Sequence, residues 1–257
     1  MRKAILGITT GLLCFAAQAS LVTDNFNRAN AGLNTNAATS IGGAYELSQT
    51  TGDKKAQAGI TNNTAFFGQT TAGTVNAGNI VLRRADISLQ NSLAGQSFTV
   101  SADITTHNAA SASLLYGLAF NYQTNNATYY AARLNTGGGA NVLQFVQYNG
   151  TNVTTVKTIT NSVALAISSI YNLQVTSTNT GSFSYILTGI GLDGGSLAGT
   201  VTASLGLSDG YAGLYTSAAN NNPRFDNLSI TSIPEPATIG MLGVGALVTL
   251  LFRRMRK

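Results

Sequence analysis

The chain has 257 residues, only 9% of them charged, with 28 glycines, one histidine, one cysteine and no tryptophan. Disordered chains combine low hydrophobicity with high charge and few aromatics, whereas 10 Tyr and 10 Phe are spread along this sequence, enough for a packed core. The net charge of +5 does not mark a nucleic-acid binder: eight basic residues balance eight acidic ones between Ser20 and Ser232, so the surplus sits at the two ends. No Lys/Arg cluster with interleaved aromatics is left to track a phosphate backbone.

Residues 1–19 follow the pattern of a secretory signal. Arg2 and Lys3 supply the positive start, and Ala4 to Ala16 form the apolar stretch. Ala17-Gln18-Ala19 is a small-x-small cleavage site, so Ser20 is the expected first residue of the mature chain. The lone Cys14 lies inside the apolar stretch, which leaves the mature domain without a disulfide, a zinc-finger spacing or a thiol nucleophile.

Residues 20–232 read as short strands. Ser97 to Ile104, Tyr171 to Thr176 and Ser182 to Leu187 alternate apolar and polar side chains, as half-buried strands do. Val142 to Tyr148 alternates less cleanly but is rich in β-formers. Asn149-Gly150, between Phe145–Tyr148 and Val153–Val156, is the clearest hairpin. Further turn signals stand at Gly137–Gly139, Asn179–Gly181, Asp193–Gly195 and Asp209-Gly210. Val163 to Ile170 is the one short helical candidate, and residues 31–80, rich in Gly, Asn and Thr, read as a loop-rich insert.

Many short strands with turns at this spacing predict an all-β sandwich or barrel. Asp24-Asn25-Phe26-Asn27-Arg28 opens the domain and Arg224-Phe225-Asp226-Asn227-Leu228-Ser229-Ile230 closes it. Between them stand Tyr116-Gly117-Leu118-Ala119-Phe120 and Tyr129 to Leu134. With these landmarks the domain resembles the laminin-G-like, concanavalin-like jelly rolls of extracellular bacterial proteins. That resemblance implies a jelly-roll β-sandwich whose first and last strands lie side by side, bringing Phe26 near Phe225.

The C-terminus is built in three parts. Ile233-Pro234-Glu235-Pro236 comes first, Ala237 to Phe252 run without a charge, and Arg253, Arg254, Arg256 and Lys257 close the chain. Sixteen uncharged residues make a helix of about 24 Å, a little short of a ~30 Å hydrocarbon core; bilayer thinning and snorkelling arginines close the gap. The basic tail belongs on the cytoplasmic side, which puts the domain outside. This end resembles the PEP-CTERM sorting signal. The resemblance implies recognition of Pro234-Glu235-Pro236 by an exosortase-type membrane peptidase, with the protein held at, or released to, the cell surface, often alongside exopolysaccharide. The expected partition is a signal peptide over 1–19, a β-sandwich over 20–232 and a sorting signal over 233–257.

Catalysis finds little support. A retaining glycosidase needs two carboxyl groups about 5–5.5 Å apart, yet Glu46 is the only glutamate between Ser20 and Ser232 and no two aspartates lie within five residues of each other. His107 is the only base for a serine hydrolase, and no Gly-x-Ser-x-Gly elbow is present. Two binding readings stay open. Asp24 and Asp226 form a candidate calcium pair if the terminal strands meet, against the alternative that both cap turns. Tyr122, Tyr129 and Tyr148, with Asn121, Asn125 and Asn126 nearby, are candidate glycan-stacking residues, against half-buried sheet positions. The expected function is that of an exported, envelope-anchored, non-catalytic surface or matrix protein with no cofactor. A carbohydrate-binding module for exopolysaccharide is the alternative, and a glycoside hydrolase comes third.

Overall fold

A computed structural model describes residues 19–34, 41–42, 44–49, 56–69, 79–86, 97–106, 115–136, 139–150, 152–177, 182–203, 207, 210–217, 224–233 and 254. Among the described residues sixteen strands form two antiparallel sheets. The larger has the order β14 (Ser196–Thr202), β13 (Ser182–Gly189), β12 (Ile170–Ser177), β7 (Ser97–Thr105), β16 (Arg224–Ile233), β5 (Thr64–Gln69), β4 (Ala56–Thr61), β2 (Ala31–Asn34). In the smaller, β11 (Asn152–Thr160) is followed by β10 (Asn141–Asn149), β9 (Thr128–Asn135), β8 (Leu115–Gln123), β15 (Tyr211–Thr216), β6 (Ile80–Arg84) and β3 (Tyr45–Gln49). The chain is an all-β jelly-roll sandwich.

Its first strand, β1 (Ala19–Asp24), joins the larger sheet by pairing with β16, Val22 opposite Ile230 and Asp24 opposite Leu228. The first and last strands are neighbours, and Phe26 and Phe225 share one core. β16 is held on its other side by β7. Its first residues, Arg224 and Phe225, pair with β5 on the side where later residues meet β1, so β5 and β1 follow one another along the same edge.

The core follows from alternation. Phe98, Val100, Ala102 and Ile104 of β7 point inward with Leu173 and Val175 of β12, while Ser101, Asp103 and Asn172 point out. A bulge between Asp226 and Ser229, with Asn227 at φ 50°, resets β16 so that Phe225, Leu228 and Ile230 all face the core. β9 is buried along its whole length. Tyr130, Ala132 and Leu134 enter the inter-sheet core, and Tyr129 and Ala131 enter a second cluster on the opposite face.

Two expectations need correction. Residues 31–80 are not a loop-rich insert: they supply β2 to β5 and open β6, serving both sheets. Their strands run only four to six residues, too short for a clear period. Residues 163–170 form no helix. Their backbone turns to the end of β7 instead: Thr106 Oγ1 donates to the Ala166 carbonyl at 2.7 Å, and the Ser168 N–H donates to the Thr106 carbonyl at 3.0 Å. Among the described residues the only helical element beside the isolated Arg254 is the 3-10 turn Asp193–Gly195, and no helix is long and apolar enough to cross a membrane. The apolar segment 237–252 lies outside the described residues.

Candidate functional site

The opening motif is organised by one carboxylate. Asp24 is buried, and its Oδ1 accepts from the Phe26 N–H at 2.8 Å. Its Oδ2 accepts from Arg28 Nη2 at 2.6 Å and from the Tyr45 hydroxyl at 2.9 Å. Those bonds hold Phe26 at φ 49°, turning the chain out of β1 with the ring in the core. Burial alone raises the Asp24 carboxyl, but hydrogen bonds from Arg28, Phe26 and Tyr45 outweigh it and hold the group below the usual carboxylate range. Arg84 lies over the Tyr45 ring at 4.9 Å and binds Asp86 through two nitrogens, at 2.9 and 2.6 Å.

This turn borders a cleft of about 620 Å³ over the paired ends of β1 and β16, lined by Thr23, Asp24, Asn25, Asn27, Arg28, Arg84, Asn227, Leu228 and Ser229. The candidate calcium pair sits beside it but is differently engaged. Asp24 is filled by its three donors, and Asp226 stands opposite Asp103, on the neighbouring strand. Asp103 accepts from Asn172 Nδ2 at 2.7 Å and Asn227 Nδ2 at 2.8 Å, while Asp226 Oδ1 accepts from the Asn227 N–H at 2.7 Å. Burial, with the like charges of Asp103 and Asp24 behind it, pushes the Asp226 carboxyl up despite that bond. Among the described residues no three His, Cys, Asp or Glu side chains gather to hold a metal.

The three candidate glycan tyrosines do come together, but beneath the surface. Tyr129 and Tyr148 are fully buried and Tyr122 is 5% exposed. The Tyr129 and Tyr148 rings stack at 4.4 Å and 15°, Tyr122 leans on Tyr129 at 5.2 Å, and Tyr215 closes the group. As a platform for a sugar they are therefore corrected: their ring faces are spent on one another. Arg133 holds the cluster, donating from Nη1 to the Tyr148 and Tyr215 hydroxyls at 3.0 and 3.3 Å and from Nη2 to Gln144 Oε1 at 3.0 Å. Burial and Tyr215 push the Tyr148 hydroxyl well above its ordinary range. Asn121 is buried, and Asn126 caps the β8–β9 turn, accepting from the Thr128 N–H at 3.1 Å. The sequence reading missed Arg133 and Tyr215; its one available signal was a charged residue inside an otherwise apolar strand.

The two termini of the sandwich meet at one end. Ala19 lies opposite Ser232 and Ser20 opposite Thr231, so the expected cleavage site is at the start of β1. β16 ends at Ile233, opposite Ser97 of β7. Of the basic tail, Arg254 is exposed; Arg253, Arg256, Lys257, the motif Pro234-Glu235-Pro236, Ala17 and His107 lie outside the described residues. Residues 232–257 match the PEP-CTERM protein-sorting motif. The PEP-CTERM segment therefore overlaps Ser232 and Ile233, the last residues of β16, with Ser232 opposite Ala19 of β1 and Ile233 opposite Ser97 of β7.

Among solved structures, the sandwich is similar to the carbohydrate binding module CBM66 from Bacillus subtilis, with a TM-score of 0.50 at 15% identity over 71% of this chain and 92% of that one. It is also similar to the CBM2 module of the evolved Dit of Lactobacillus casei BL23 phage J-1, with a TM-score of 0.55 at 13% identity over 85% and 97% of the two chains. At these identities the likeness shows the fold. No curated protein matches the chain in sequence. The PEP-CTERM motif marks the chain for exosortase-dependent export, with a membrane-anchored sorting signal at its C-terminus.

Proposed function

We propose that this chain is a non-catalytic surface or extracellular-matrix protein, delivered with its sandwich outside the cell and sorted through its last 26 residues by an exosortase-type membrane peptidase. The observation that carries the reading is the join between PEP-CTERM segment and fold: the motif begins at Ser232, inside β16. Removal of residues 1–19 frees Ser20 at the start of β1. Residues 237–252 then hold the chain in the inner membrane, with the basic tail on the cytoplasmic side. Because Ala19 and Ser232 are opposite each other, both targeting segments leave the sandwich from one end, and that end faces the membrane.

Non-catalytic behaviour is supported by the state of the carboxylates. Asp103 and Asp226 stand directly opposite each other, the spatial meeting that an enzyme reading needs. Yet amide donors from Asn172 and Asn227 hold both oxygens of Asp103, which suits a fixed structural anion better than a nucleophile. Carbohydrate binding is the second reading, supported by the similarity to two carbohydrate binding modules and by the polar cleft beside the terminal strands.

Deleting residues 234–257 leaves β16 whole and tests the first reading. The truncated chain is expected in the medium or periplasm with an unchanged melting temperature. Retention of the truncated chain in the membrane fraction would contradict it.

A further inference from the structure

We infer that the cleft over the paired ends of β1 and β16 is a binding site for an uncharged, hydroxyl-rich saccharide unit, with Thr23, Asn25, Asn27, Asn227 and Ser229 as its hydrogen-bonding groups; this rests on the carbohydrate-binding reading above. The volume of about 620 Å³ falls within the roughly 300–1,000 Å³ range of small-molecule sites. The charges around it are largely paired: Asp24 and Arg28 meet at 2.6 Å through Nη2, leaving Arg28 Nη1 as one buried donor without a partner among the described residues, and Arg84 binds Asp86. An anionic ligand would have to compete with both carboxylates for those guanidinium groups.

What else the cleft offers freely is neutral. Among the described residues the side chains of Asn27, Thr23 and Ser229 make no hydrogen bond, and Asn25 Nδ2 and Asn227 Oδ1 have no partner. These amides and hydroxyls supply both donors and acceptors, which is what a sugar hydroxyl, itself donor and acceptor, requires. Two of the groups, Asn25 and Asn227, are also held in place. Asn25 Oδ1 accepts from the Asn27 N–H at 3.2 Å, and Asn227 is fixed by its bond to Asp103 Oδ2 and its left-handed backbone. Pre-set donors lose less entropy on binding. Among the described residues no aromatic ring lines the cleft, so recognition relies on hydrogen bonds rather than stacking.

The cleft also lies at the accessible end. From the Ala19–Ser232 pair to the Asp24–Leu228 pair is five residues of strand, about 17 Å, which sets it back from the face where the two targeting segments emerge.

Affinity gel electrophoresis of the full chain in detergent, with soluble dextran, hydroxyethyl cellulose and galactomannan as neutral probes and polygalacturonate as the anionic one, tests this directly. We expect retardation by at least one neutral polymer, unaltered by 0.5 M salt. The double substitution Asn27→Ala with Ser229→Ala removes two partners that no other side chain uses, and should weaken binding by about tenfold at an unchanged melting temperature. Thr200→Ala, on the edge strand β14, serves as a control and should bind normally. Retardation by neutral polymers that the double variant does not weaken would overturn the cleft assignment while leaving the carbohydrate-binding reading standing. Retardation by polygalacturonate alone, lost in salt, would overturn the ligand class. Silence with every polymer would overturn the carbohydrate-binding reading and the site together.

Discussion

Replacing Asp24 with alanine should be among the most damaging substitutions on the terminal strands. It strands three donors at once: the Phe26 N–H, the Tyr45 hydroxyl and Arg28 Nη2. Phe26 and Tyr45 are buried at 0 and 1% exposure, so neither donor regains water. Each buried donor left unpaired costs about 1–3 kcal/mol, and the half-exposed guanidinium adds less, giving a loss of about 4 kcal/mol. For a domain of this size that lowers the melting temperature by about 12 °C. Asp24→Asn keeps an acceptor for Phe26 and should lose about half as much. The pH dependence follows from the direction of the shift. The Asp24 carboxyl is held below its ordinary value in the fold, so its contribution is present above the unfolded pKa and disappears as pH falls through the lower folded one. Urea unfolding of the wild type and both variants between pH 2 and pH 7 measures this. The wild type should lose its advantage over Asp24→Asn towards the acid end. A difference under 1 kcal/mol at pH 7, or one that does not vary with pH, would refute the role given to this carboxylate.

Asp226→Asn should act in the opposite direction. Asp226 sits directly across from Asp103, and removing one of two opposed like charges is worth about 0.5 kcal/mol of stabilisation; because its folded carboxyl is raised, the gain should appear near pH 7 in urea melts and vanish in acid. Gly213→Ala places a methyl carbon 2.1 Å from the Leu82 carbonyl oxygen on β6, and should destabilise by about 3 kcal/mol in the same assay. Tyr148→Phe should lower stability at neutral pH, and the wild type should lose stability as pH rises above the range of an ordinary phenol, since its folded hydroxyl titrates later than the unfolded one. With Asp24 filled by protein donors, excess calcium against excess chelator should leave the melting temperature unchanged; a rise of about 5 °C would return Asp24 and Asp226 to a metal.

The parts of the fold that could be read in advance were those where one face is wet and the other dry. β12 and β13 alternate cleanly in burial as they do in hydropathy, and Asn149-Gly150 closes the β10–β11 hairpin with Gly150 at φ 66°. Alternation fails for β9, whose second face is covered too; apolar residues on both faces look the same whether the second face meets water or a layer of tyrosines. That is why Tyr129 and Tyr148 pass in the sequence for surface rings. Residues 31–80 hid their strands because four to six residues rich in Gly, Asn and Thr carry too few apolar positions to show a period. The opening motif was visible as a pattern, but its chemistry was not. The partners of Asp24 and Tyr45 come from the turn after β1, from β3 and from β6, and only the sandwich closure brings Tyr45 and Arg84 to the first strand.

Intact-mass analysis of the protein recovered from fractionated cells bears on the central claim most directly. Export and sorting through the two ends predict a chain that begins at Ser20 and is found with the envelope or outside it. A polypeptide still running from Met1 to Lys257 and dissolved in the cytosol would contradict the account.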